Sequence, residues 1–263
     1  MPQSTTSLSR REVHLLAGWE RARRTFVTID DIRNEVGSDA AKDVARALVH
    51  KQALERVRRG VYLVRPFRAL GRPSSRSTSV MIAAILAGDL YYLGGLWALS
   101  FHRLTEQKFL TVIDAFVRHR LQPRLLGPGR VRFHVLPSDK LAYGAMSVQL
   151  EGAGVRVSDP ERTVLDALDY PRLFGGIARS VSLASEVLPS LDRRLLIAYA
   201  ARGSGLSTCQ RLGVLLERTG TPTRQLAPLR RRVRQTRSLL SLLPAGPRLG
   251  PVNRLWNVVE NDG

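Results

Sequence analysis

Apolar positions in the first quarter of the chain recur at helical spacing in three short blocks, and the residues between them carry start and stop signals. Val13, Leu16 and Ala17 mark a first helix that Ser7 or Ser9 can cap and that ends near Arg23-Arg24. Phe26-Val27 is a short extended piece, after which Thr28 caps a second helix over 29–36 that Gly37 terminates. Ser38 is positioned to cap a third helix, with Ala41, Val44, Ala45 and Leu48 as its apolar stripe and Asp39, Lys42, Asp43, Arg46 and His50 on the other side. Residues 54–64 are two β-prone runs meeting at Arg58-Arg59-Gly60, where glycine permits positive φ, the layout of a hairpin.

Helix, helix, helix, basic hairpin is the order of a winged helix-turn-helix, in which the helix behind the turn enters the major groove of DNA and the wing touches the backbone or minor groove. On that reading Ser38, Lys42, Asp43 and Arg46 face the groove, and Arg56, Arg58 and Arg59 meet phosphates. The same side chains also suit the solvated face of a small helix. Asp39 and Asp43 are unfavourable near phosphate unless they read cytosine or orient an arginine.

Residues 65–79 hold two prolines, a glycine and four serines with little apolar periodicity, so a boundary falls there. The expected division is a DNA-binding domain over 1–70, a linker over 71–79 and a larger domain over 80–263. In that larger part, 80–87 and 96–104 read as helices around an extended 90–93. Strand-like runs follow at 109–117, 131–136, 146–150 and 155–157. The remainder is helical over 160–168, 177–188, 193–201, 207–218 and 227–240, and a strand over 254–259 closes the chain. Strands first and helices after, with no repeated βαβ unit, predict an α+β fold with a helical second half and no doubly wound sheet.

Charge narrows the partners. A net charge of +19 in 263 residues, with a pI near 11.4, suits a polyanion: nucleic acid or an anionic membrane surface. The most apolar window, 80–101, contains Asp89 and is broken at Gly88 and Gly94-Gly95, so it predicts two short elements and no membrane span. The one cysteine, Cys209, excludes an internal disulfide and a cysteine-based zinc cluster and fits a reducing cytoplasm. The five histidines lack paired spacing on a helix face, and no phosphate-loop run of the GxxxxGK[ST] type occurs, so neither a metal nor a nucleotide cofactor is expected.

Catalysis has little to work with. His102 and Glu106 are four apart and can share a helix face as base and orienter, but nothing beside them supplies an activated nucleophile. The arginines at 224, 230, 231, 232, 234 and 237 read as a basic helix face, a second nucleic-acid contact or a docking face for an acidic partner.

The densest signal is Ser158-Asp159-Pro160-Glu161-Arg162-Thr163-Val164-Leu165-Asp166-Ala167-Leu168, followed by Pro171 and Gly175-Gly176. It writes out a helix start: Ser158 or Asp159 caps, Pro160 occupies the first turn and Glu161 follows it. Val164, Leu165 and Leu168 make an apolar face, which leaves Glu161, Arg162 and Asp166 on the flanks, with Arg162 and Asp166 four apart as a surface ion pair.

The string resembles the signature of the C-terminal domain of AbiEi-type antitoxins, the antitoxin half of type IV toxin–antitoxin systems. The run Tyr92 through Gln107, with Leu104-Thr105-Glu106-Gln107 at its end, and the closing Trp256-Asn257-Val258-Val259-Glu260-Asn261 fit the same family. Arg103 departs from it, standing where a small residue, usually glycine, precedes the Leu-Thr-Glu-Gln run. The resemblance implies a cytoplasmic, non-enzymatic antitoxin of a phage-defence system that represses its own operon by binding double-stranded DNA at its promoter. It also implies neutralisation of a nucleotidyltransferase-like toxin without a stable complex. Carried onto this chain, the antitoxin motif comprises Thr105, Glu106, Asp159, Glu161, Arg162, Thr163, Asp166, Gly175 and Gly176. A stand-alone winged-helix transcription factor with a ligand-sensing or oligomerising C-terminal domain is the alternative.

Overall fold

A computed structural model describes residues 7–67, 70, 76–109, 111–234, 236, 238–246 and 249–262. Most of the expected linker (71–75), and with it Arg72, lies outside the described residues, as do Arg68 and Arg237. The chain forms two compact units, each assembled from three segments: Met1–Asp89, Gln122–Arg132 and Ser147–Arg156 in the first, and Leu90–Leu121, Phe133–Met146 and Val157–Gly263 in the second.

The first unit opens with α1 (Arg10–Arg21), capped by Ser9 in a reciprocal box with Glu12. Its buried face is Glu12, Leu15, Leu16 and Trp19, whereas Val13 is 41% exposed. Trp19 settles this rotation, because burying the largest apolar side chain outweighs burying a valine. Glu12 accompanies it into the interior because Lys51 Nζ sits 2.7 Å away. Burial works against the Glu12 charge, but Lys51 and Ser9 more than offset it and hold the carboxyl below its ordinary value.

β1 (Phe26–Thr28) leads into α2 (Ile29–Val36), where Thr28 and Asp31 cap each other's backbone. α3 (Ala41–His50) starts at Ala40 with no side-chain cap, so Ser38 does not cap it, contrary to the sequence expectation. Residues 38–40 form a turn instead. β2 (Leu54–Arg58) and β3 (Val61–Val64) make the hairpin, and the sheet order is β1-β3-β2. Ile32, Ala45, Leu48 and Leu54 close a core with Leu16 and Trp19.

α4 (Thr78–Ile85) is buried along its whole length. β6 (Arg124–Leu126) pairs antiparallel with the start of β7 (Gly129–Val135). β8 (Ala145–Leu150) turns into β9 (Ala153–Ser158) through Glu151-Gly152, both at positive φ.

In the second unit β4 (Tyr91–Gly94) pairs antiparallel with β5 (Val112–Val117) and parallel with β9 at Leu93 and Val157. Then come α5 (Gly95–Phe101), α6 (Ser138–Leu141), α7 (Pro160–Asp169), α8 (Ile177–Val187), α9 (Arg193–Gly203), α10 (Leu206–Arg218) and α11 (Ala227–Val233). β10 (Leu240–Ser241) runs parallel to β12 (Val258–Val259), and β11 (Val252–Asn253) antiparallel to it. The mixed α+β class follows the sequence expectation. α11 ends at Val233, short of the expected 240, and Leu240 and Ser241 pair with β12. β6 and α6 are too short to register as periodicity.

α5 stops at Phe101, so His102 and Glu106 do not share a helix face as the sequence allowed. The chain leaves through a Schellman turn: Leu104 N–H donates to the Leu99 carbonyl and Arg103 N–H to that of Ser100, with Arg103 at φ +58°. A left-handed arginine carries a steric cost that glycine avoids. Arg103→Gly is therefore expected to raise stability by about 1 kcal/mol in urea titration. A loss of stability would show that contacts of the arginine side chain outweigh its backbone strain.

Candidate functional site

Two constellations stand out, one in each unit. The first is built around the start of α7. Asp159 caps the helix, accepting from Arg162 N–H at 2.7 Å and from the Tyr199 hydroxyl at 2.8 Å. Ser158 and Thr163 share a buried hydroxyl hydrogen bond of 2.7 Å. Glu161 reaches the other way and accepts from Asp192 N–H at 2.9 Å, fixing the start of α9.

The flanking ion pair is buried rather than at the surface. The side chains of Arg162 and Asp166 are 3% and 1% exposed, with Nε donating to Oδ1 at 2.8 Å. The rest of the guanidinium is also spent: it donates to the Lys140 carbonyl (2.9 Å) and the Tyr92 hydroxyl (2.9 Å), and Tyr92 donates to Asp166 Oδ2 (2.8 Å). The Tyr143 ring covers the guanidinium face, 4.6 Å from its centroid. Gly144, at φ +66°, passes so close that a Cβ there would lie 2.7 Å from Arg162 Cβ.

Burial pushes the Asp166 carboxyl up to about 6 even though Arg162 and Tyr92 pull it down. Burial opposes the Arg162 cation, but Asp166 and Tyr92 hold it firmly charged. An ion pair with its hydrogen bonds satisfied in this way is an architectural device. It pins α7 against β4 and the 140–144 segment and presents no group to a substrate.

The neighbouring motif positions play related parts. His102 Nε2 donates to the Ser158 carbonyl at 2.6 Å, so His102 braces the α7 start, while Glu106 is exposed in the loop after α5. Thr105 Oγ1 accepts from Gln107 N–H within that loop, and Arg179 of α8 donates to the Gln107 side chain at 2.7 Å. Gly175 and Gly176, at φ +90° and +102°, carry the chain from the short 3-10 turn at Pro171–Phe174 into α8. Sequence reasoning missed Tyr143, Tyr199 and the carbonyl partners. Tyr92 stood in a quoted run, yet nothing in its spacing linked it to residue 166.

The second constellation is a cleft of about 570 Å3 in the first unit, between α2, α3 and the β2–β3 hairpin. Arg33, Lys42, Arg46, Arg56 and Arg59 line it, with Ile29, Ala45, Val49 and Tyr62 at its base. Of the residues singled out by sequence, Lys42, Arg46, Arg56 and Arg59 come together here. Ser38 and Asp43 are exposed outside the lining, with Asp43 3.0 Å from Arg46. Arg58 donates to the Ala87 carbonyl at 3.1 Å and is committed elsewhere. Arg33, which sequence reasoning passed over, joins the lining from α2, where it pairs with Asp30.

The chain is thus an α+β protein with a basic cleft in one unit and, in the other, a motif whose polar chemistry is turned inward. No helix among the described residues is long and apolar enough to cross a membrane. Residues 110–218 match the family model of the AbiEi antitoxin C-terminal domain, a match consistent with an AbiEi-type antitoxin, and the α7 motif lies inside the matched span. The match points to an antitoxin role in a toxin–antitoxin pair, and the family is not an enzyme family. No curated protein matches the chain. Among solved structures, the crystal structure of the RV2827C protein from Mycobacterium tuberculosis is similar, with a TM-score of 0.63 at 17% identity, covering 96% of this chain and 92% of that one. That likeness concerns the fold.

Proposed function

We propose that residues 1–70 act as a winged helix-turn-helix that binds double-stranded DNA at the chain's own promoter, and that 71–79 lead from it to the antitoxin domain over 80–263. On this reading the protein is the autorepressor and antitoxin of a type IV pair. It counters a nucleotidyltransferase-like toxin without a stable complex with it, as part of cytoplasmic phage defence. The observation that carries the DNA reading is the basic cleft: α3 and the hairpin turn toward one concavity and line it with cations from three successive elements. A recognition helix and wing set against a phosphate backbone need that arrangement.

The test is binding of the full chain to the DNA upstream of its gene, against an unrelated fragment, at two salt concentrations. Selective binding that survives the higher salt supports autorepression. Equal binding that collapses with salt reduces the net charge of +19 to a general affinity for polyanions. Arg56→Ala with Arg59→Ala is expected to weaken binding to all sequences and to flatten the log–log salt slope by about 0.9 per lost phosphate contact. An unchanged slope would remove the hairpin from the contact surface. Co-expression with the adjacent gene product, read as growth rescue, tests the antitoxin half.

A further inference from the structure

The second unit holds a cavity of about 560 Å3 that neither DNA binding nor the buried α7 network uses. Phe133, Leu136, Tyr170 and Leu173 give it apolar walls over Phe116, and His134 and Arg172 are its cationic or hydrogen-bonding groups. Its size is within the roughly 300–1,000 Å3 of small-molecule sites, and an apolar lining with a few placed polar groups is their usual make-up.

His134 is held in place. Its Nε2 lies 2.7 Å from Oδ1 of Asp114, a carboxylate on β5 that is 2% exposed. The carboxylate accepts, so Nε2 carries the hydrogen, and in the neutral ring Nδ1 is left as the acceptor. Asp169, which also lines the cavity, is occupied: its carboxylate accepts from Ser204 Oγ at 2.8 Å and from Gly205 N–H at 3.2 Å. Arg172 is exposed at the rim and makes no ion pair among the described residues. The polar complement is thus an oriented imidazole, a guanidinium without an ion pair among the described residues and the hydrogen-bonded Asp169 carboxylate, beside two aromatic rings.

We propose that this cavity binds a nucleoside monophosphate, with the base against Tyr170 and Phe133, the base edge hydrogen-bonded to His134 and the phosphate on Arg172. Every base has a π-face that an aromatic wall can stack, and a guanidinium matches a phosphate bidentately. A purely apolar ligand leaves the oriented imidazole without a partner. Free phosphate leaves the aromatic walls uncovered.

The test is calorimetric titration of the full chain with AMP, GMP, CMP, UMP and inorganic phosphate. Saturable one-to-one binding of at least one nucleotide is expected, with inorganic phosphate at least about ten-fold weaker. Arg172→Ala, at an exposed position where folding is not at risk, is expected to weaken nucleotide binding about ten-fold, as is His134→Gln. Lys42→Ala with Arg59→Ala, in the first unit, should leave it unchanged. The proposal is overturned if no nucleotide binds, if phosphate binds as well as the nucleotides, if binding is unweakened by Arg172→Ala, or if it is lost with the Lys42 and Arg59 variant.

Discussion

Asp166→Ala is expected to destabilise the second unit by about 3–5 kcal/mol, the cost of leaving one member of a buried ion pair without its partner. Arg162 would then remain as a cation 3% exposed with no carboxylate, held by the Lys140 and Tyr143 carbonyls, the Tyr92 hydroxyl and the Tyr143 ring. The same pair on a surface helix would be worth less than about 1 kcal/mol, so the size of the loss decides between the two placements. Urea denaturation followed by far-UV circular dichroism measures it. A loss below about 1 kcal/mol would mean that the pair is solvated in solution.

The double variant Arg162→Met with Asp166→Leu separates a stabilising interaction from a mere matching of charges. Replacing both ions by apolar groups of similar volume is often neutral, so most of the single-variant loss should return. If the chain acts as the proposed antitoxin, substitutions at these motif positions are expected to abolish toxin protection through the fold of the domain rather than through a lost contact with a partner.

Trp256→Ala is expected to cost about 3–5 kcal/mol, the usual range for deleting a large aromatic from a closed core. Trp256 is fully buried, its indole N–H donates to Glu217 Oε2 at 3.1 Å, and its carbonyl accepts from Gln210 Nε2 at 2.9 Å. Its ring lies directly on Gly213 of α10, where an added Cβ would come within 2.2 Å of Trp256 Cε3. Glycine is disfavoured inside a helix by about 1 kcal/mol relative to alanine, and here it is what lets the indole reach the helix backbone.

Gly213→Ala should therefore be strongly destabilising in the wild-type chain and close to neutral or stabilising beside Trp256→Ala. A double-mutant cycle reads this as a large coupling energy. Additive effects would show that the C-terminal segment does not pack on α10 in solution.

Much of the local structure was legible in the sequence because its causes are local. Ser9, Thr28 and Asp159 cap helices through donors three residues on, and Pro160 sits in the first turn where its missing N–H costs nothing. The hairpin at Gly60 likewise depends on a backbone conformation within a few residues. At Arg103 the sequence showed only a departure from the family pattern inside an expected helix over 96–104, and the left-handed turn there emerged with the fold. The α+β order and the basic face of α3 follow from periodicity and charge in the same way.

Tertiary structure alone decided where the polar groups went. An i, i+4 spacing of arginine and aspartate is the same for a surface pair and a buried one. Arg162 and Asp166 are buried because Tyr92, 70 residues before Arg162, supplies a hydroxyl, and because Lys140 and Tyr143 supply carbonyls. Desolvating a charge is tolerable only where such partners converge, and convergence is a property of the packed chain. The His134–Asp114 pair joins β7 to β5 across 20 residues, and Trp256 finds Gly213 across the length of the last helices. The sequence by itself determined the charge, the caps at Ser9, Thr28 and Asp159 and where most helices begin. Which of those charges face solvent, and which are locked inside, was settled only when distant segments supplied the hydrogen bonds that burial demands.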